Sequence, residues 1–210
     1  MIRVMIVDDH DVVREGLRQI LSETSDIEVT AEAATGNDAL DLLRKGGIDV
    51  MILDLNLPDR SGLDVLQQVR ASAPRVRVVV LSMNPEESFA ARALRAGASA
   101  YIGKRAARQD LADAVRAAAG GRRFLTDKAA QSVALQALDA GERLPHELLT
   151  DREFEVFQLI AAGRPPREIA SQLSMSVKTV ATHRAHIFEK FGASSNAELA
   201  QYAVRHKLIG

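Results

Sequence analysis

Apolar residues along the first 121 positions follow two alternating periods. Five short runs rich in β-branched and aliphatic residues have strand length: IRVMIV from Ile2, IEVTAEA from Ile27, IDVMIL from Ile48, VRVVVLS from Val76 and ASAYI from Ala98. Between them apolar residues recur at helical spacing, as in Leu17, Ile20 and Leu21, or Ala39, Leu42 and Leu43, or Leu63, Leu66 and Val69. The same spacing continues at Ala90, Ala93 and Leu94, and at Leu111, Ala114, Val115 and Ala118. Strict alternation of strand and helix, with near-continuous apolar strands, predicts an α/β doubly wound, five-stranded parallel sheet covered on both faces.

The pattern breaks near residue 122. Residues 122–148 have glycines near both ends, no strand signal and a weak helical stretch over 128–138, and are predicted to be a linker. Only helical patterns follow. Thr150 and Glu153 have the spacing of a capping box, and Val156, Leu159 and Ile160 then face a core until Gly163. Pro165 and Pro166 suit a helix start, the stretch SMS at 174–176 turns the chain, Ser176 caps a helix to about Phe191, and Ser195 with Glu198 caps the last one. Residues 149–210 are thus expected to form an all-α, four-helix unit containing a helix-turn-helix, after a first domain over 1–121.

Composition narrows the setting. Hydrophobic residues make up 47% of the 210, enough for two cores, and the absence of cysteine removes disulfides and thiolate metal sites. The apolar runs are far short of a membrane span, and no basic stretch followed by an apolar one opens the chain, so no membrane partner and a cytoplasmic location are expected. The net charge of −1 divides into −3 over residues 1–121 and +2 over 149–210, an acidic first domain and a mildly basic last one.

In a doubly wound sheet, ligands gather beyond the carboxyl ends of the strands. Asp8 and Asp9 end the first run, Asp54 the third and Ser82 the fourth, and Lys104 follows the fifth by two residues. Such convergence is rare for a merely solvated rim. Oxygens of Asp9 and Asp54, a carbonyl at Asn56 and Asp8 acting through water would suit Mg²⁺. Asp54 would attack a phosphoryl group while the Lys104 ammonium neutralises its oxygens and the Ser82 hydroxyl donates to one of them.

Residues 1–121 resemble a response-regulator receiver domain, with its flavodoxin-like fold, through VDDH at 7–10, LDLNLPDRSGLDVL at 53–66, Ser82 and YIGK at 101–104. The resemblance implies a phosphoacceptor at Asp54 served by a sensor histidine kinase, an acid pair that binds Mg²⁺, and a switch in which Ser82 and Tyr101 move together. One departure from that pattern is Arg105, where many such domains have proline after the lysine. An aspartyl phosphatase similar to the haloacid dehalogenases fits less well: its D-x-D-x-T nucleophile motif is not matched by DDHDV, and Asn56 stands where a general acid would sit. Slow self-hydrolysis is expected, and no enzymatic turnover of outside substrates.

In the last unit, VKTVATHRAHIFEKF at 177–191 is the candidate recognition helix. Val177, Val180, Ile187 and Phe191 form its expected core stripe. Lys178, Thr179, Ala181, Thr182 and Ala185, with Arg184 and Lys190 at the sides, are the expected contacts to double-stranded DNA. His183 and His186, three apart without a third ligand, suit packing or phosphate contact better than metal. The run from Leu149 to Ala193 closely resembles the LuxR-type DNA-binding domain, and the whole chain resembles a NarL/FixJ-family response regulator.

That family implies phosphorylation-controlled, sequence-specific DNA binding and transcription regulation, a homodimer on DNA and RNA polymerase as a further partner. Asn196, Leu199 or Val204 of the last helix would face a partner. Family members often carry Lys or Asn where this chain has Ala181 and Ala185, so thymine methyls or DNA shape carry more of the readout here. The competing reading is a phosphoacceptor adaptor that acts by protein contact without specific DNA readout.

Overall fold

The computed structural model describes residues 1–83, 86–104, 107–138, 144–173, 175–206 and 208–209. The chain divides into two compact units, Met1–Ala134 and Leu135–Gly210.

The first unit is built on a parallel sheet in the order β2-β1-β3-β4-β5-β6. Its strands are β1 (Ile2–Val7), β2 (Ile27–Ala33), β3 (Val50–Leu53), β4 (Arg77–Ser82), β5 (Ala100–Gly103) and β6 (Phe124–Leu125). Its helices are α1 (Asp11–Ser22), α2 (Gly36–Arg44), α3 (Gly62–Ser72), α4 (Glu86–Ala96) and α5 (Ala107–Ala119); α6 (Asp127–Leu138) follows and spans the division at residue 134. Successive strand residues point to opposite faces. Val4, Ile6, Val50, Ile52, Val79 and Leu81 therefore share one face, where Leu17 and Leu21 of α1 and Leu111 and Val115 of α5 complete a core. Met5, Val7, Met51, Leu53, Val78, Val80 and Tyr101 are buried on the other face, the side that α2, α3 and α4 cover in a doubly wound sheet.

β2 lies at an edge, and its burial alternates as a half-solvated strand should. β1, β3 and β4 are central and almost wholly buried. The sheet has one strand more than the five predicted. Phe124 pairs with Ala100 and Leu125 with Tyr101, inside the segment expected to be linker. Two residues are too few to show an alternating pattern, so the sixth strand left no signal in the sequence. The weak helical stretch beside it is α6.

The second unit contains the end of α6, a 3-10 turn (Pro145–Leu148), α7 (Asp151–Ala161), α8 (Pro166–Gln172), α9 (Val177–Phe191) and α10 (Asn196–Arg205). The caps fall at the expected residues. Thr150 N–H donates to Glu153 Oε2 at 2.7 Å while Thr150 Oγ1 accepts from Glu153 N–H at 3.3 Å. Ser176 Oγ accepts from Thr179 N–H, and Ser195 Oγ from Glu198 N–H. Gly192 ends α9 in the left-handed region, at φ 59°. The core is aromatic: Phe157 and Phe191 stack with centroids 4.9 Å apart, and Tyr202 meets Phe191 edge-on. Among the described residues no helix is long and apolar enough to cross a membrane.

Two expected placements are reversed. Val177, assigned to the core stripe of α9, is 46% exposed, because it sits in the first turn, ahead of the point where α9 reaches the core at Val180. Leu199, offered to a partner, is 0% exposed, because it lies on the face of α10 that packs on α7. Asn196 and Val204 are exposed as expected.

Candidate phosphoacceptor site and DNA-facing helix

β1 and β3 are neighbours although β2 intervenes in the chain, so the strand order reverses between them. A crevice opens beyond their carboxyl ends at such a point. Ladder bonds carry the strands up to it: Asp8 N–H donates to Ala33 O at 3.1 Å, Asp54 N–H to Val7 O at 2.9 Å and Lys104 N–H to Ser82 O at 2.9 Å. Gly62 N–H closes the loop after β3 by donating to Leu55 O. A Cβ on Gly62 would lie 2.3 Å from Asp54 O, so only glycine permits this approach.

Asp8 and Asp54 are both buried. Lys104 Nζ lies between them, 2.6 Å from Asp8 Oδ2 and 2.8 Å from Asp54 Oδ2. The second contact is a hydrogen bond. The first is an ion pair outside hydrogen-bond angles, which leaves Asp8 Oδ2 buried without a hydrogen-bond donor. Asp8 Oδ1 accepts from His10 N–H at 2.9 Å, and Asp54 Oδ1 from Asn56 N–H at 3.3 Å. Asp9 points outward to His10, its Oδ1 2.6 Å from His10 Nδ1.

Two carboxylates share one ammonium, and the titration behaviour follows. Burial raises the Asp54 carboxyl above its ordinary range, with Lys104 opposing and the Asp8 charge adding to the rise. Burial lowers the Lys104 ammonium, but its contacts with the Asp54 and Asp8 carboxylates outweigh that and hold it above its usual value. The ammonium faces two anions, whereas each carboxylate faces one cation and one anion.

Ser82 and Tyr101 lie on the same sheet face. Tyr101 pairs with Val80 and Gly103 with Ser82, so no side chain on β5 stands directly opposite the hydroxyl-bearing residue. Both Ser82 and Tyr101 are fully buried. Arg105 lies outside the described residues.

Two residues at this site were not assigned by sequence reasoning. Ligand atoms of His10, Asp8, Asp9 and Asp54 all lie within 4.8 Å of one another. Arg14 Nη1 donates to Asp8 O at 2.6 Å and its Nε lies 3.4 Å from Glu32, which fixes the backbone at the acid pair. The sequence adjacency of His10 was a signal; Arg14, one turn into α1, offered none.

In the second unit Lys178, Thr179, Ala181, Thr182, Arg184 and Ala185 are all exposed on α9. Arg184 is held at its side by Asn196 Oδ1, 3.1 Å from Nη2, and stacks 4.2 Å above the Phe188 ring. Lys190 is engaged differently: its Nζ donates to Glu153 Oε2 at 2.6 Å, and His186 Nδ1 lies 3.4 Å from Glu153 Oε1. Lys178 and Lys190 are also about 18 Å apart along the helix axis.

A buried carboxylate bridged by lysine to an acid pair, at the switch point of a parallel sheet, defines the class of receiver domains. Residues 4–116 match the response regulator receiver domain family, and residues 147–203 match the bacterial regulatory proteins, luxR family. The chain belongs to the NarL/FixJ family of response regulators, two-component proteins in which a receiver controls a DNA-binding, transcription-regulating domain. Response regulator UvrY of Escherichia coli strain K12 is 34% identical over 209 residues, covering 99% of this chain and 96% of UvrY. Response regulator GacA of Pseudomonas aeruginosa is 35% identical over 210 residues, covering 100% of this chain and 98% of GacA. Among solved structures, RcsB of Salmonella enterica serovar Typhimurium, bound to promoter P1flhDC with the phosphomimetic BeF3−, superposes with a TM-score of 0.70 at 25% identity, covering 96% and 97% of the two chains. The response regulator ChrA of a heme-sensing two-component system does so with a TM-score of 0.55 at 36% identity, covering 99% and 98%.

Proposed function

We propose that Asp54 accepts a phosphoryl group from the phosphohistidine of a sensor kinase, and that this controls binding of α9 to specific double-stranded DNA. The observation that carries the reading is the Lys104 ammonium bridging Asp8 and the buried Asp54. In the transfer an Asp54 carboxylate oxygen forms a bond to phosphorus as the P–N bond to the donor imidazole breaks, and the imidazole leaves with a proton. Lys104 neutralises an equatorial oxygen, Ser82 donates its hydroxyl to another, and Tyr101 follows Ser82 on their shared sheet face. Asp54 stays phosphorylated until water attacks the phosphorus and the carboxylate leaves; this self-hydrolysis is slow, and the site turns over no outside substrate.

The residues fit Mg²⁺. Asp8 Oδ2 is buried against the Lys104 ammonium, 2.6 Å away, and ligand atoms of Asp8, Asp9 and Asp54 converge within 4.8 Å. Asp9, Asp54 and the Asn56 carbonyl would hold the ion, with Asp8 acting through water; the His10 nitrogen is a poor donor for so hard a cation. When bound, Mg²⁺ offsets charge on the phosphoryl oxygens.

For the output, Lys178, Thr179, Ala181, Thr182 and Ala185 face the major groove and Arg184 its edge. The protein binds as a homodimer on paired half-sites, regulates transcription through RNA polymerase and works in the cytoplasm, where kinase and DNA meet. The test is incubation of the chain with Mg²⁺ and a small acyl phosphate. Intact mass should show one added phosphoryl group, lost in Asp54→Asn. Undiminished labelling in that variant, or without a divalent cation, refutes the assignment.

A further inference from the structure

Val177 is the first residue of α9, and 46% of it is exposed. Ala181 and Ala185 follow at four-residue intervals and are exposed too. Residues at such intervals form one ridge along a helix, so α9 presents an apolar ridge on the face assigned to DNA. The polar groups around it are engaged elsewhere. Thr179 Oγ1 lies 2.8 Å from Ser176 Oγ within the cap, Thr182 Oγ1 donates to Lys178 O at 3.2 Å, and Arg184 is held by Asn196. The Lys178 side chain is exposed beside them.

We propose that this ridge reads thymine: the 5-methyl groups of successive thymines pack against Val177, Ala181 and Ala185 in the major groove. The proposal rests on the reading of α9 as the groove-facing helix. Thymine is the one base that carries a methyl group on its major-groove edge. Guanine and adenine are read chiefly by hydrogen bonds from Arg, Lys, Asn or Gln, and Val177, Ala181 and Ala185 offer no such group. The ridge spans about 12 Å, or three to four base steps of about 3.4 Å. Two alanines let the backbone come close enough for a Cβ to touch a methyl group, while Lys178 on the next ridge meets a phosphate.

The experiment uses the phosphorylated full-length chain and the duplex it enriches most from a random pool. Each thymidine of a half-site is replaced in turn by deoxyuridine, which removes only the methyl group. Affinity should fall about fourfold at two or three thymines inside one four-base window, the burial worth of a methylene-sized group. Val177→Ser, which replaces both methyl groups with a single hydroxyl, should erase the preference for thymine over uracil at one of these positions and leave the salt slope unchanged. Val177→Ala should weaken that preference at the same position. Equal affinity for thymine and uracil at every position overturns the ridge proposal while leaving the groove-facing reading intact. Failure to prefer the enriched duplex over random DNA overturns both.

Discussion

Lys190 Nζ lies 2.6 Å from Glu153 Oε2, and that same oxygen accepts the Thr150 amide, so the cap of α7 is also the anchor of α9. Burial pushes the Glu153 carboxyl up, but Lys190 and the Thr150 amide and hydroxyl outweigh it and hold it at about 2. A carboxyl with a depressed folded value lends stability that is complete above its unfolded value, near 4.3, and is lost as pH falls toward 2. The contribution at neutral pH is on the order of 2–3 kcal/mol. Glu153→Gln should therefore lower the unfolding midpoint of the second unit at pH 7 and flatten its dependence between pH 5 and pH 2, as followed by calorimetry. An unchanged acid profile would refute this account of Glu153.

The same pair separates two lysines that look alike in the sequence. Lys178 is exposed at the start of α9, whereas Lys190 is 31% exposed and paired with a carboxylate. Lys178→Ala should weaken binding to all duplexes and make the salt slope shallower by about one unit. Lys190→Ala should leave the slope within error and reduce thermal stability instead. A matching drop in slope for Lys190→Ala would show that it leaves Glu153 to meet phosphate.

The sequence was most informative where one period dominates. Continuous apolar runs located β1, β3, β4 and β5, and the capping residues Thr150, Ser176 and Ser195 located α7, α9 and α10. Strand ends then brought Asp8, Asp54 and Lys104 to one edge without any knowledge of distances. Side-chain partnerships between distant segments were not legible. Glu153 announces itself as a cap and gives no sign of Lys190, 37 positions away. Periodicity also misjudges helix ends, where a residue in register with the core projects past it, as Val177 does. β6 was hidden by its length.

Lys104 competes with a cation for the Asp8 and Asp54 oxygens, since its Nζ lies 2.6 and 2.8 Å from them. Lys104→Ala removes that competitor and leaves the cluster one charge more negative. Mg²⁺ affinity should rise severalfold by titration calorimetry, while phosphorylation by an acyl phosphate slows because the developing oxygen charge loses its ammonium. Weaker Mg²⁺ binding in the variant would mean that Lys104 organises the carboxylates more than it opposes a cation.

Asp54 presents the opposite linkage to Glu153. Burial raises its folded value above the ordinary aspartate range, with Lys104 only partly opposing. A raised carboxyl binds its proton more tightly in the folded state, so stability falls as pH climbs from the unfolded value near 3.9 through the raised one, and the deficit is complete above it. Asp54→Asn keeps the shape, removes the charge beside Asp8 and retains an oxygen that can accept from Lys104. The first unit should then unfold at a higher temperature at pH 7 than the wild type. The gain should vanish on acidification well below the unfolded value near 3.9, where the wild-type carboxyl is protonated in both states. A lower midpoint for Asp54→Asn at pH 7 would mean that the attraction of Lys104 outweighs burial and the Asp8 charge together, and that the site is relaxed before phosphate arrives.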